Sequence, residues 1–190
     1  MEQGFCDYYM SENNPWIKRA SRLVYENPWM TVFEDDVVRP DGKDGIYGYI
    51  EVKTAVGCVA LTEEQEIYLV GQYRYPINRY SWEIIEGGVE AGEDNLAAIK
   101  RELMEEAGLT AKNWRQLGGE IYISNCISSE VGYLYVATDV SEGQSSPEGT
   151  EQLQVRKLPL QRALAMIDSG EITDSLSIIA LLRLYRSSVC

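Results

Sequence analysis

No histidine occurs among the 190 residues of this chain. The absence removes Ser-His-Asp and Cys-His nucleophilic catalysis, histidine general bases and histidine-containing zinc sites together. Acid–base chemistry is left to carboxylates, lysine, tyrosine or metal-activated water. Cysteine is scarce as well: Cys6, Cys58, Cys126 and Cys190 form no C-x-x-C pair and read as scattered free thiols of a reducing compartment. Positive charge is in the minority, 17 Lys and Arg against 30 Asp and Glu, a net charge of −13. A phosphate backbone is repelled by such a surface, so nucleic acid is not an expected partner, whereas a small anion can bind where metal inverts the local sign. There is no apolar run long enough to span a membrane, and the N-terminus MEQGFCDYYM lacks the basic and apolar regions of a signal peptide. A cytoplasmic protein without a membrane partner is expected.

What is present is ordinary globular composition, 45% hydrophobic and 25% charged, enough for one domain or one domain with a small appended sheet. Residues 1–16 show no period and read as a loose lead-in. Three strand-like runs follow, at 22–25, 29–33 and 46–52, separated by the turn signals Asn27-Pro28 and Arg39-Pro40-Asp41-Gly42. So small a sheet has little core of its own and needs something to pack on, so residues 1–53 are expected to form a dimerisation unit ahead of a main domain over 54–190. Within that domain strands are expected at 54–61, 67–73, 81–85, 114–123, 131–138 and 153–155, with helices over 160–167 and 172–184.

The most informative stretch is GGVEAGEDNLAAIKRELMEEAGL, Gly87 to Leu109. It reads as a tight glycine turn and then a helix ending at Gly108. Leu96, Ile99, Leu103 and Ala107 recur at helical spacing and form one buried stripe. Glu102, Glu105 and Glu106 crowd a second face. Like charges at that spacing repel, so the cluster is costly unless a cation sits among them. Oxygen-only ligands on a rigid element suit Mg²⁺ or Mn²⁺.

Gly87, Glu93, Arg101-Glu102-Leu103, Glu105-Glu106 and Gly108-Leu109 stand at the spacing of the Nudix box, which this chain resembles at every signature position. The resemblance implies an α/β fold with a mixed sheet sandwiched between helices, and hydrolysis of a nucleoside diphosphate linked to another moiety. It implies two or three Mg²⁺ ions on Glu102, Glu105 and Glu106, with the Glu86 backbone carbonyl as a further ligand. Arg101, one residue before the cluster, is expected to point away from Glu105 and to pair with Glu102 or Glu93 in support of the ligands.

Upstream, QYRYPINRYSWEIIEGG resembles the branch of Nudix proteins that cleaves ADP-sugars and other nucleoside diphosphate sugars. That likeness implies a homodimer with exchanged N-terminal sheets. It gives Arg74 a contact with the diphosphate or sugar and Glu83 a contact with the sugar or base, although an Arg79 ion pair would also account for Glu83. Trp29, and less so Tyr25, could stack on a nucleobase; packing is an equal reading for Trp29. The polar loop SEGQSSPEGT, residues 141–150, implies an acidic base or extra ligand, with Glu151 at its root favoured over Glu148. Cys126 has no histidine to activate it and reads as loop packing. ADP-ribose, GDP-mannose, ADP-glucose and UDP-sugars all remain open as substrates. Nucleoside triphosphates or dinucleoside polyphosphates are the alternative, and a non-catalytic sensor is a third reading, disfavoured by the intact box.

Overall fold

The computed structural model describes residues 13–143 and 153–189, the last two as backbone only. The expected lead-in falls largely outside them, as do Cys6, Cys190, Glu148 and Glu151. The described chain divides into two compact units, the first ending at Glu51 and the second starting at Val52.

In the first unit the turn residues act as the sequence implies. Asn27 accepts hydrogen bonds on its side chain from the backbone N–H groups of Trp29 and Met30, both at 2.9 Å, which reverses the chain between β1 (Ile17–Glu26) and β2 (Met30–Val38). Gly42, at φ +80°, closes the turn into β3 (Asp44–Val52). The strands lie in the order β1-β2-β3. Stacking of Phe33 on Tyr49, with ring centres 5.6 Å apart, covers part of one face. β1 is exposed along its whole length.

The second unit holds β4 (Ala55–Ala60), β5 (Glu66–Arg74), β6 (Arg79–Glu83), β7 (Ile85–Gly88), α1 (Asn95–Ala107), β8 (Leu109–Gln116), β9 (Ile121–Tyr122), β10 (Val131–Glu142), β11 (Gln154–Pro159), α2 (Leu160–Ser169) and α3 (Ser175–Val189). One sheet runs β7-β4-β10-β8, with β9 beside β10; β4 and β10 are parallel and the other pairs antiparallel. A second sheet runs β11-β5-β6. Strand alternation sorts side chains into two cores. Val59, Ile67, Leu69, Leu134 and Val136 join α2 and α3 on one side. Val56, Cys58, Tyr68, Val70 and Tyr135 join Ile99 and Leu103 of α1 on the other. This is the mixed sheet between helices that the sequence implied.

Three local expectations are corrected. The single strand expected over 81–85 is two strands in different sheets, because the chain crosses from β6 to β7 at Ile84. Gly87 and Gly88 finish β7 rather than making the turn, which is built from Val89–Asp94 with Gly92 at φ +80°. The strand expected to start near 114 begins at Leu109, since the left-handed Gly108 reverses the chain directly out of α1, and Gly118, also at φ +80°, ends it early.

Candidate active site

α1 is fixed at both ends before any chemistry is asked of it. The Asp94 carboxylate accepts from Leu96 N–H at 2.9 Å and Ala97 N–H at 3.2 Å, and the left-handed Gly108 donates to the Met104 carbonyl at 2.9 Å. Ala98, Ile99 and Leu103 are fully buried, so the rotation of the helix is set by packing and the glutamates cannot drift.

Glu106 lies on the inner side, only 4% exposed, and its Oε2 accepts from the backbone N–H of Glu86 at 3.2 Å. Glu102 rests on the bare backbone of β7, where a Cβ at Gly87 would fall onto its carboxylate. Glycine at 87 is therefore required by a close approach. Arg101 binds with all five of its donors. Nε and Nη2 reach the two oxygens of Glu93 at 3.1 and 3.0 Å, Nη2 also reaches the Gly88 carbonyl at 3.0 Å, and Nη1 reaches Glu102 at 2.7 Å and Glu105 at 2.9 Å. The expectation that Arg101 points away from Glu105 is wrong: the two are four residues apart, and that spacing places them on the same face. The guanidinium is held more firmly protonated by Glu93 above all, then by Glu102 and Glu105, and it holds the Glu93 carboxyl below the usual range in return.

Arg74 and Glu83 meet across β5 and β6. Arg74 Nε donates to both Glu83 oxygens at 3.0 and 3.1 Å, and Nη2 closes a second bond to Oε2. Glu83 is 3% exposed, while Arg74 opens onto a cavity of about 380 Å³ bordered by Pro76, Ile77 and Asp174. The ion pair considered between Glu83 and Arg79 is not formed; Arg79 donates to the Gly170 carbonyl at 3.1 Å.

Two residues that the sequence reasoning passed over complete the site. Ser177 of α3 is fully buried; it donates to Glu86 Oε1 at 2.7 Å and accepts from Ile84 N–H at 3.0 Å. Asp174 caps α3 by accepting from Ser177 N–H at 2.8 Å, and its charge acts on the Glu86 carboxyl. Burial first, then the charge of Asp174, pushes that carboxyl well above the ordinary range. A capping aspartate ahead of Ser177 was visible in the sequence; its approach to Glu86 was not. Cys58 is buried, its thiol pushed up by burial, and Cys126 is exposed on its loop.

The donor set at α1 is entirely oxygen, and Glu93, Glu102, Glu105 and Glu106 stand against the single guanidinium of Arg101, which fits a hard divalent cation. Among the described residues no three acidic side chains already converge on one point as a finished cage. Glu102 and Glu105 are held on the guanidinium, beside Glu106. Trp29 is 74% exposed at the β1–β2 turn, and Tyr25 is exposed on β1. Glu151 and Glu148 fall outside the described residues.

Comparison with known proteins gives the same outline. Residues 52–176 match the NUDIX domain family, and residues 16–50 match the nucleoside diphosphate sugar hydrolase N-terminal domain. The chain is 29% identical over 158 residues to the ADP-ribose pyrophosphatase of Bacillus subtilis, covering 82% of this chain and 85% of that one. It is 32% identical over 136 residues to the GDP-mannose pyrophosphatase of Citrobacter koseri, covering 67% and 70%. The crystal structure of an ADP compounds hydrolase superposes with a TM-score of 0.80 at 20% identity, over 90% of this chain and 93% of that one, a likeness of fold.

Proposed function

The chain belongs to the NUDIX domain family of hydrolases, and from that premise we propose that it cleaves the pyrophosphate bond of nucleoside diphosphate sugars. Water adds to one phosphorus, the bridging P–O–P bond breaks, and a nucleoside monophosphate and a sugar phosphate leave. The observation that carries the reading is the set of Glu102, Glu105 and Glu106 on one helix beside β7, the first two held by Arg101 and the third by the Glu86 N–H. The match of residues 16–50 to a nucleoside diphosphate sugar hydrolase domain supports a sugar nucleotide over a triphosphate.

Members of the family generally use divalent metal ions, and here Glu102, Glu105 and Glu106, with the Glu86 carbonyl, would hold Mg²⁺ or Mn²⁺. Such a cation, when bound, supplies positive charge against the diphosphate and Lewis-acid activation of water. The chain's own residues do the rest. Arg101 keeps two carboxylates in fixed rotamers, and the Glu86 N–H orients Glu106. Arg74, already locked by Glu83, presents its guanidinium to the 380 Å³ cavity, where a planar fork suits a phosphate. Glu83 in this reading aims Arg74 and lies at the sugar end. Trp29 offers its open ring face to a nucleobase, and Glu151 is the proposed base from the polar loop.

The chain is further proposed to act in the cytoplasm as a homodimer assembled through residues 1–53. Ile17, Leu23, Val24 and Ile46 are all more than half exposed on a three-stranded sheet, which is more apolar surface than an isolated small sheet sustains.

The test is phosphate release, coupled to alkaline phosphatase, across ADP-ribose, GDP-mannose, ADP-glucose, UDP-glucose and the four nucleoside triphosphates, with and without Mg²⁺. Metal-dependent turnover of the sugar nucleotides with triphosphates left intact is expected. Turnover of triphosphates alone would overturn the substrate class.

A further inference from the structure

The chain carries an excess of thirteen acidic over basic side chains, yet two neighbouring elements that each carry arginine hold no carboxylate. These are β8, LTAKNWRQ, and α3, SLSIIALLRLYRSSV, and the Leu117-Gly118-Gly119 turn that follows β8 adds none. Between them lies a cavity of about 460 Å³ onto which Arg115, Arg183 and Arg186 converge. Among the described residues none of the three pairs with a carboxylate, in contrast to Arg74 or Arg101.

Arg183 is the anchored member. Its Nη1 donates to the Leu117 carbonyl at 2.8 Å and to the Gly119 carbonyl at 3.0 Å, with the guanidinium pressed against Gly118. Its Nε and Nη2 have no protein acceptor among the described residues. Arg186 stands in the last turn of α3, where a cation complements the helix dipole. Neither fact accounts for Arg115, which comes from a different element and ends in the same cavity. Three arginines that line one cavity without a carboxylate partner leave their donors available to an anion.

An adjoining cavity of about 270 Å³ shares Arg115 and Ser187 and adds Asn113, Gln65 and Thr138, groups that both donate and accept hydrogen bonds. Leu61, Trp114, Val136 and Leu184 line the same cavity, so the groove is cationic at one end and apolar with a few polar groups at the other. It also lies away from the glycine end of the box, although the box's last residue, Leu109, begins β8. In the sheet order β7-β4-β10-β8, Gly87 lies on one outer strand and Arg115 on the other, about 14 Å apart by three inter-strand spacings.

We propose that the groove between β8 and α3 is a second binding site, for a small phosphorylated molecule, with Arg115, Arg183 and Arg186 on the phosphate. Guanidinium forks match phosphate oxygens in pairs, and the combined size of the two cavities lies within the range of small-ligand sites. Two sources share that chemistry, a nucleotide whose polar base reaches the amide end, and free phosphate, which needs only the arginines.

The test is calorimetric titration of the full chain, kept metal-free with EDTA in 150 mM NaCl. The probes are adenosine monophosphate and, separately, inorganic phosphate. Wild type is compared with Arg115→Gln, with Arg115→Gln/Arg186→Gln and with Glu106→Gln, and each variant's fold is checked by circular dichroism. One saturable event per chain is expected in wild type, weakened about tenfold for each arginine removed and kept in Glu106→Gln. Tighter binding of adenosine monophosphate than of phosphate assigns the site to a nucleotide; equal binding assigns it to phosphate itself. Absence of saturable binding in wild type, equal affinity in the double arginine variant, or loss in Glu106→Gln alone would each overturn the proposal.

Discussion

Arg101 shows how much a single side chain carries here. Five donors meet four partners, and a lysine at that position has three donors on a compact head that cannot span them. Arg101→Lys is expected to lower kcat about 10- to 100-fold and to raise the metal concentration at half-maximal rate, read from a Mg²⁺ titration of turnover. Gly87→Ala is expected to do the same by another route, since its methyl group displaces the Glu102 carboxylate; unchanged circular dichroism with turnover down at least about tenfold would bear this out. The box residues were legible because their types and spacing are fixed by one helix. Arg101's reach to Glu105 follows from the i, i+4 spacing, which outweighs its position one residue before Glu102. The Arg74–Glu83 pair and Ser177 were not legible, because each is a contact between residues that only the sheet or α3 brings together.

At the scale of elements, turn chemistry predicted some boundaries well and missed the turns at Gly92 and Gly118. Asn27 and the αL glycines at 108 and 170 are examples of the former. It failed at Ile84, where the chain changes sheet without a glycine or proline, because Ser81 to Ile85 are all buried and read as one strand. The β1–β2 ladder offers a test in pH. Asp35 accepts from the Ser21 hydroxyl at 2.5 Å and pairs with Lys18 at 2.9 Å, and first the hydroxyl and then the ammonium hold its carboxyl below the ordinary 3.8. A carboxyl depressed by folding adds stability above its unfolded value, and the contribution is lost as pH falls through the folded one. Asp35→Asn is therefore expected to be less stable than wild type in urea at pH 7, with the gap closing toward pH 2. A gap that stays constant with pH would show that the Asp35 charge is not what matters.

For the whole molecule, three glutamates on one helix make the metal a stability ligand as well as a chemical one. Saturating Mg²⁺ is expected to raise the Tm of wild type and to raise it less in Glu106→Gln, as binding to the folded state alone requires. In sedimentation, wild type is expected at the mass of two chains and Leu23→Glu at one, because Leu23 is exposed on β1 and a charge there opposes burial in a dimer. The layered α/β arrangement was legible from strand and helix periods; how a sheet this mixed closes was not, since order and direction depend on long-range pairing. The most direct test falls on Glu106, which is buried and which glutamine replaces at nearly the same volume, keeping one oxygen for the Glu86 N–H while removing the charge and one carboxylate oxygen. The deciding measurement is the chromatographic yield of AMP and ribose 5-phosphate from ADP-ribose, for wild type and Glu106→Gln, each with Mg²⁺ and with EDTA. Equal amounts of the two products from wild type with Mg²⁺ alone, and turnover lower by orders of magnitude in the variant, are predicted. Wild-type turnover by Glu106→Gln, or undiminished turnover in EDTA, would contradict the account.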